Sequence, residues 1–413
     1  TVVIVDEAGQ VGGNQMLELL RLVAERNARL VLSGDTRQHG AVEAGDALRA
    51  IERHSGVRPI QLTNIRRQNP ALAKSLEERR RIRAYRQAVA EARDGKFTES
   101  FDRLDKLKTI ESCTLAEKRE KLTARYLELV QDRQTTVIVS QSWNDIHQVN
   151  DAIRVALKQD KLIGEAEITV TAFQPVDLTD AQKRDVRSYA PDTVLVFNRD
   201  ARGFKAGDSA RLKSMAEDHL VVVNDTREVS IPFTHLAKLT TCQPKELALA
   251  AGDRLQLKAN GRSVENRKLV NGELVTVKAV QPDGRIALTD GRVLDKNFRQ
   301  FVRGYAITSY ASQGKSVDHV LFSDSAAKAA TNQQQWYVTI SRGKKGIHIF
   351  TTDKQQLREN VTRSGERPSV VDALIAHYRK HDPTYRLIER NWGTRMALTM
   401  TNSKRAREFR ELR

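Results

Sequence analysis

The chain has 413 residues, a length that allows about two or three domains with sizeable apolar cores. Lysine and arginine number 69 against 52 acidic residues, so the formal net charge is +17. This charge favours a polyanionic partner, with nucleic acid ahead of an anionic membrane surface. Cys113 and Cys242 are too few for a disulfide framework or a four-cysteine zinc site, which predicts a reducing, cytoplasmic setting. No apolar run approaches the ~20 residues of a transmembrane helix, so no membrane insertion is expected.

The start of the chain predicts two strands and one helix. Residues 1–5 are mostly β-branched and predict a strand buried on both faces of a parallel sheet. An apolar stripe predicts a helix over about 14–25, and a second strand is expected over 28–33. Polar residues follow each strand, as in α/β folds whose ligands lie beyond the carboxyl edge of the sheet. The predicted fold class is therefore α/β.

Further along, helical, α/β and β-rich patterns alternate. Helices are predicted over about 70–93, which is rich in arginine, and about 115–129. Further α/β strands are predicted at 135–140, 305–310, 320–323 and 347–351. Between the predicted strands at 135–140 and 305–310, short apolar runs are separated by turn signals such as Asn271-Gly272. The predicted divisions are a first α/β unit at 1–75, accessory helices at 76–132, a second α/β unit at 133–164 and 304–355, a β-rich insertion at 165–303, and a basic helical or loose tail at 356–413.

Polar residues with defined chemistry follow the N-terminal strands. Asp6 could hold a magnesium ion through water while Glu7 polarises an attacking water, although such an acidic pair is often structural. Gln38 offers an amide that could sense a γ-phosphate, or it belongs to an ordinary turn. Arg67 offers a guanidinium for transition-state charge, or it lies in a solvated basic turn. Taken singly, these residues leave nucleotide hydrolysis and a structural role both open.

Two later segments complete the pattern: Thr308-Ser309-Tyr310-Ala311-Ser312-Gln313-Gly314 and Tyr337-Val338-Thr339-Ile340-Ser341-Arg342-Gly343. We expect each to lie at the end of a strand. In this order and spacing, the segments and the N-terminal residues resemble motifs II to VI of superfamily 1 helicases of the RecD-like kind. The likeness extends over roughly residues 1–355 and is strongest to the helicase half of conjugative relaxase-helicases of the MobF type, the TraI and TrwC proteins.

This resemblance implies two RecA-like lobes, the first truncated at its N-terminus, with a β-rich, barrel-like insertion in the second. Gly252-Asp253-Arg254 and Asn271-Gly272-Glu273 resemble that insertion. ATP and Mg²⁺ are the implied cofactors. The residues carried over are Glu7, Arg67 and Arg342 for catalysis; Asp6, Gln38, Gln313 and Gly314 for the nucleotide; Asp6 for the metal; and Thr308, Ser309 and Tyr310 for DNA.

One departure concerns the Walker A loop, which should precede the Asp-Glu strand. Gly314-Lys315-Ser316 is the sole GK[ST] string, but Ser309 stands where the loop needs its first glycine, so we interpret the string as a decoy. Without that loop, no backbone amides or lysine cradle the β- and γ-phosphates. We therefore expect a C-terminal piece of a longer protein, with an incomplete first sheet and negligible ATPase activity alone.

Candidate DNA contacts are aromatic or basic residues. Tyr310, Trp336 and Trp143 could stack on bases, although an aromatic residue more often packs in a core. The arginines between Arg79 and Arg86 could grip phosphates or form a solvated helix face. His39 is expected to be a structural histidine rather than a ligand.

The predicted function is that of the ATP-dependent 5′-to-3′ helicase part of a conjugative relaxase in plasmid transfer. Single-stranded DNA and its junctions with duplex are the expected partners, with the conjugation machinery as a further candidate. A RecD-like repair helicase and a catalytically silent single-strand-binding module are the alternatives. A signalling GTPase fits least, because the later motifs have no place in it.

Overall fold

The computed structural model describes residues 1–41, 45–176, 178–179, 181–224, 227–324, 331–366, 377–378 and 380–381. They form two compact units. The first contains residues 1–112, 312–320 and the described residues from 324 onwards, and the second contains 113–311 and 321–323. The predicted tail arginines and lysine, Lys404, Arg405, Arg407, Arg410 and Arg413, lie outside the described residues. None of the described helices is both long and apolar enough to cross a membrane.

The described helices are α1 (Gly13–Glu25), α2 (Ala47–His54), α3 (Leu76–Arg93), α4 (Phe97–Lys106), α5 (Leu115–Gln131), α6 (Trp143–Gln159), α7 (Ser309–Ser312), α8 (Gln333–Ile340) and α9 (Lys354–Asn360). The described strands are β1 (Val2–Val5), β2 (Arg29–Leu32), β3 (Ile110–Ser112), β4 (Thr136–Ser140), β5 (Glu167–Pro175), β6 (Val194–Phe197), β7 (Ser209–Met215), β8 (His219–Asn224), β9 (Arg227–Pro232), β10 (Leu239–Ala250), β11 (Arg254–Leu257), β12 (Gly261–Arg262), β13 (Lys268–Leu269), β14 (Leu274–Val280), β15 (Ile286–Leu288), β16 (Val293–Leu294), β17 (Phe301–Arg303), β18 (Ala306–Thr308), β19 (Val317–Ser323) and β20 (Gly343–Thr351). This mixture of helices and sheets is the α/β fold class that the sequence predicts.

The first unit contains two parallel strand pairs. β1 pairs with β2, with Val2 opposite Arg29, and β20 pairs with β3. Helices α3, α4 and α8 contribute large buried side chains, among them Ile82, Phe101 and Trp336. Together with β20, these helices form the core of the unit, because α3, in which Ile82 is buried, packs against α4, α8 and β20.

The first strand is less buried than its composition predicts. The side chains of Val2 and Ile4 are 57% and 70% exposed, and Val31 on β2 is 47% exposed. Only β2 pairs with β1 among the described residues, and the exposure of these three side chains shows that the described residues do not cover the sheet face that carries them. The expected burial on both faces was therefore wrong for the chain as described.

The second unit is rich in antiparallel strands. One sheet has the order β5-β10-β6-β7-β8-β9 and another has the order β16-β15-β14-β11-β17. Leu249 and Leu257 belong to one continuous apolar core that joins residues of both sheets. β18 also pairs in parallel with β4, with Thr308 opposite Ser140. The β-rich character predicted for 165–303 is present, and its description as a barrel stays a prediction, as do the predicted division boundaries.

Two predicted elements end or begin differently. The strand expected at 305–310 stops at Thr308, because the Thr308 hydroxyl accepts the Ala311 amide at 3.1 Å and starts the short helix α7. The helix expected at 70–93 begins as a 3-10 turn, Pro70–Leu72, and α3 starts after Ser75. The Ser75 hydroxyl caps α3 by accepting the Glu78 amide at 3.0 Å.

Candidate functional site

The acidic pair lies at the carboxyl end of β1. One carboxylate oxygen of Asp6 accepts the Ser33 hydroxyl at 3.1 Å and the Glu7 amide at 2.9 Å, which ties the ends of β1 and β2 together. Glu7 has the left-handed backbone angles φ 51° and ψ 39°. A residue with a Cβ pays about 1 kcal/mol for that conformation, which is a cost often found at functional positions.

Gln313, which lies 306 residues further along the chain, contacts Glu7. Its side-chain amide nitrogen donates to a carboxylate oxygen of Glu7 at 2.9 Å. Its amide oxygen is buried and has no hydrogen-bond partner among the described residues. Because buried polar atoms are normally paired, this oxygen marks a position open to a ligand or water.

Arg67 is hydrogen-bonded to two other residues of the first unit. Its Nε donates to the Ser316 hydroxyl at 2.6 Å, and its Nη1 donates to the Ser341 carbonyl at 2.6 Å. The adjacent Gln68, which is 1% exposed, donates to the Ser341 carbonyl at 3.3 Å and to the Gly343 carbonyl. Two neighbouring residues thus bind the backbone on both sides of Arg342.

Arg342 is buried, with 3% of its surface exposed. Its guanidinium donates to the Val338 carbonyl at 2.9 Å and to the Ser341 hydroxyl at 2.7 Å, both of which are neutral oxygens. Burial, and then the positive charge of Arg67, lower the pKa of Arg342 to about 10, while Glu7 acts in the opposite direction. Burial also lowers the pKa of Arg67.

These two arginines therefore lie close enough to repel each other, and Glu7 is the carboxylate that acts on both of them. No carboxylate is hydrogen-bonded to either guanidinium in the described part of the chain. Two neighbouring positive charges, one buried and one half-buried, disfavour the empty site and favour a bound anion.

Gln38 lies on a neighbouring network in the first unit. Its amide nitrogen donates to Asp35 at 3.2 Å, and its amide oxygen is buried without a partner among the described residues. Burial, followed by the nearby charge of Asp35 and a hydrogen bond to it, raises the pKa of Tyr337, which also interacts electrostatically with Arg342. Asp35 and Tyr337 therefore connect the sensor candidate Gln38 to the arginine pair.

His39 is a buried neighbour of this network. Burial, and then the charge of Arg342, lower the pKa of His39 to about 4. The imidazole is therefore neutral at physiological pH, in keeping with a structural role.

A single exposed carboxylate, that of Asp6, is available for a divalent cation at this site. The described residues contain no cluster of three or more metal-ligating side chains. Mg²⁺ at a nucleotide site needs only one or two carboxylates, with phosphates and water completing its shell, so Asp6 and the adjacent Ser33 fit that requirement.

The GK[ST] string has no Walker A geometry. Ser316 accepts the hydrogen bond from Arg67, and β19 begins at the next residue, Val317, whereas a phosphate loop leads into a helix. Gly314 lies just before, is exposed and has φ 76°, a left-handed angle that suits glycine. This geometry agrees with the interpretation of the string as a decoy.

The predicted DNA residues belong to the second unit. Thr308 ends β18, Ser309 is buried, and Tyr310 is 47% exposed in α7. Trp143 is 41% exposed at the start of α6. Trp336, a further stacking candidate, is instead in the first unit. It is fully buried against Phe101 at 5.7 Å between ring centroids, and it donates to the Ser100 hydroxyl, so it has the core-packing role that was the likelier of its two predicted roles.

The arginine cluster of α3 forms a solvent-facing helix surface. Arg79, Arg80, Arg81 and Arg83 are exposed. Arg86 is half-buried and donates to the Asn64 side chain at 2.8 Å.

Two motif positions differ from the expectation that each lies at the end of a strand. Tyr337 is in helix α8, and Arg342 precedes β20 rather than following a strand. Residues 56–66, just before Arg67, form no helix or strand. Sequence reasoning also missed Gln68, Tyr85, Ser316 and Ser341, whose types carry no signal by themselves. Tyr85 donates to the Ile340 carbonyl and so supports the backbone next to Arg342.

Comparison with known proteins gives a consistent result. A family model described as an AAA domain matches residues 1–114. The chain is 23% identical over 423 residues to the multifunctional conjugation protein TraI of Escherichia coli, covering 91% of this chain and 23% of that protein. It is 26% identical over 351 residues to the conjugal transfer protein TraA of Agrobacterium fabrum, covering 85% of this chain and 24% of that protein.

Among solved structures, the Pif1 helicase from Candida albicans aligns with a TM-score of 0.45 and 14% identity, over 92% of this chain and 76% of that one. The chain spans about a quarter of the length of the curated relatives it matches. Over most of its own length, it is therefore similar to the conjugation proteins TraI and TraA.

Proposed function

We propose that this chain is the helicase segment of a conjugative relaxase, which couples ATP hydrolysis to 5′-to-3′ movement on DNA during plasmid transfer. The observation that carries the proposal is the pair of a buried Arg342 and a half-buried Arg67, both within the electrostatic range of Glu7 in one unit. Two mutually repelling guanidiniums next to a carboxylate suit a polyphosphate and its attacking water. The AAA match and the similarity to TraI and TraA support the same activity.

Each residue has a defined role in the proposed reaction. Glu7 orients and polarises the water that attacks the γ-phosphorus, while the bond to the β,γ-bridging oxygen breaks. Gln313 holds the Glu7 carboxylate through the 2.9 Å hydrogen bond. Arg67 and Arg342 stabilise the charge on the transferring phosphoryl group. Gln38 would sense the γ-phosphate through its amide nitrogen, which donates to Asp35 at 3.2 Å in this structure.

Mg²⁺ would be held by Asp6, directly or through water. When bound, the ion neutralises charge on the β- and γ-phosphate oxygens. Ser33 would keep the Asp6 carboxylate in position through its hydroxyl.

We further propose that the 413-residue chain hydrolyses no ATP by itself. Its sequence holds no G-x-x-x-x-G-K-[ST] loop, and the hydroxyl of Ser316 in its GK[ST] string is used by Arg67. The apolar side chains of Val2, Ile4 and Val31 in the first sheet are also exposed among the described residues, as expected if further elements complete that sheet.

The proposed partners are single-stranded DNA, its junctions with duplex, and the conjugation machinery. The net charge of +17 supports a nucleic-acid partner. The names of the TraI and TraA relatives support conjugation rather than repair. A cytoplasmic location would suit the buried cysteines Cys113 and Cys242, neither of which forms a disulfide.

The test uses the longer protein that contains this segment and a Walker A loop. Glu7→Gln should abolish DNA-stimulated ATP hydrolysis and unwinding while retaining ATP binding, because the amide cannot act as the base. Glu265→Gln, at an exposed position of the second unit, is the matched control and should keep both activities. Retained unwinding by Glu7→Gln would contradict the assignment. Salt-dependent strand binding without hydrolysis by the parent protein would instead favour the silent binding module.

A further inference from the structure

A cleft in the second unit lies outside the nucleotide cluster. The N-terminal turns of α6 form one wall, and β5, β10 and β17 form the other. Its lining combines an exposed aromatic ring with basic side chains, and it includes Trp143, His147, Gln174, Lys245 and Arg303. None of these residues contributes to the proposed hydrolysis.

Trp143 is the aromatic residue at the mouth of this cleft. Its side chain is 41% exposed, and its ring stacks on His147 with centroids 5.9 Å apart and planes at 28°. The ring nitrogen of His147 lies 2.6 Å from the side-chain nitrogen of Gln174, which fixes the imidazole. Burial, and then the charge of Lys245, lower the pKa of His147. The indole of Trp143 thus stacks on a neutral imidazole that Gln174 holds in place.

A cation also lies on the indole. Nζ of Lys258 is 4.8 Å from the centroid of the Trp143 ring. A cation–π contact of this kind contributes only about 0.5–1 kcal/mol at an exposed site, and the lysine stem is flexible. A stronger stacking ligand could therefore displace the ammonium towards a neighbouring phosphate.

The cleft has an excess of positive charge. Lys245 and Arg303 line it together with Asp151, the acidic residue of the described lining, which pairs with Arg303 at 2.6 Å. Lys258 adds a further positive charge over the indole of Trp143. Nε of Arg303 is buried and lacks a hydrogen-bond partner among the described residues. The site thus joins a supported aromatic face, basic side chains and an unsatisfied donor.

We propose that this cleft is a nucleobase-stacking site for single-stranded DNA, in which Trp143 stacks on a base while Lys258 and Lys245 contact the flanking phosphates. Exposed tryptophan beside lysines is the combination that binds single strands without sequence preference, because every base offers a π-face. This inference rests on the proposed function, since it takes single-stranded DNA as the substrate. It goes beyond that function by assigning DNA contacts to residues outside the helicase motifs.

Binding is measured by fluorescence anisotropy of a labelled oligothymidylate on the 413-residue chain. Trp143→Ala should raise the Kd about 10-fold, and Trp143→Phe should restore most of the affinity because it keeps a stacking ring. Lys258→Ala should weaken binding and reduce the slope of log Kd against log salt by about 0.7, one phosphate contact. Lys278→Ala, an exposed lysine of the same unit outside the cleft, is the charge-matched control and should change neither quantity.

The outcomes separate this inference from the function on which it rests. Unchanged Kd values for both Trp143→Ala and Lys258→Ala, with tight binding by the unmodified chain, overturn the stacking site and leave the motor intact. Weakening by Lys258→Ala alone also overturns it, because a phosphate contact without stacking remains. Failure of the unmodified chain to bind at low salt overturns both proposals.

A second readout excludes a folding artefact. In the longer protein, Trp143→Ala should raise the DNA concentration that half-saturates ATP hydrolysis about 10-fold and leave kcat at saturating DNA unchanged. A general loss of structure would lower kcat as well, and that result would overturn the assignment of Trp143 as a stacking residue.

Discussion

Two buried arginines, Arg342 in the first unit and Arg154 in the second, have opposite surroundings. Arg154 donates to Asp253 at 3.0 Å and to Glu167 at 2.6 Å. Asp253 also accepts the Tyr305 hydroxyl at 2.7 Å. Burial disfavours the charge of Arg154, but its hydrogen bonds to Glu167 and the charge of Asp253 outweigh that effect and raise its pKa.

Arg342, by contrast, is hydrogen-bonded to neutral oxygens and is repelled by Arg67, so its pKa is lowered to about 10. The charge of Arg154 is compensated by two carboxylates, as in a structural ion pair, and we call this the closed cluster. The charge of Arg342 is not compensated by a hydrogen-bonded carboxylate among the described residues, as an anion-binding site requires, and we call this the open cluster. Within one chain, this contrast separates an arginine that forms ion pairs from one that is a candidate for anion binding.

The largest expected effect is on turnover. In the longer protein, Arg342→Gln should lower kcat for ATP hydrolysis by about 10³-fold, because a positioned arginine stabilises transition-state charge on the phosphoryl group. Steady-state hydrolysis at saturating ATP and DNA measures it. Arg187→Gln, at an exposed arginine of the second unit, is the matched control and should have no effect. A decrease smaller than about 10-fold would place Arg342, like Arg154, among structural arginines.

The second prediction concerns stability and the closed cluster. Asp253→Asn should lower the free energy of unfolding by about 3–5 kcal/mol, because it leaves the buried guanidinium of Arg154 partly uncompensated. Urea denaturation followed by circular dichroism measures the loss. Arg342→Met, tested in the same assay, should cost less than about 1 kcal/mol, since no buried ion pair is broken. Equal losses for the two variants would erase the difference between the clusters.

The smallest effect is on the pH dependence of stability. The folded protein holds the pKa of His39 near 4, below its ordinary value of 6.5, through burial and the charge of Arg342. Below pH 6.5 the unfolded chain binds a proton that the folded chain does not, so His39 lowers stability as the pH falls from 6.5 towards 4. Between pH 7 and pH 5, this contribution should amount to about 2 kcal/mol.

The measurement is the difference between the unmodified chain and His39→Gln in urea denaturation at both pH values. Other titrating groups cancel in that difference. Parallel pH dependence of the two proteins would show that the imidazole does not titrate as expected. In an Arg342→Gln background the difference should shrink, because one of the two causes of the lowered pKa has been removed.

Local structure was largely predictable from the sequence. The strands β1 and β2 and the helix α1 lie within a residue or two of the predicted bounds, since apolar periodicity is a local property. The burial of β1 was not predictable, because it depends on which elements cover the sheet. The burial of the two tryptophans was equally unpredictable. Trp336 is buried against α4, whereas Trp143 lies on the surface at the first turn of α6.

The candidate site divides in the same way. The order and spacing of Asp6, Glu7, Gln38 and Arg67 along the chain are enough to indicate the resemblance to helicase motifs. The contact of Gln313 with Glu7, at a separation of 306 residues, and that of Arg67 with Ser316, at 249, could not be derived from spacing. The supporting roles of Gln68 and Tyr85 were invisible for the same reason.

The sequence alone determined the α/β class, the basic charge and the choice of candidate site residues, because each depends on residue type and local pattern. Tertiary structure decided which charges are compensated. Arg154 and Arg342 are the same residue type, and only the placement of Asp253 and Glu167 around one and of Arg67 near the other makes the first an ion-pair partner and the second an anion-site candidate. Electrostatic energy depends on distance and burial, and both are properties of the folded chain.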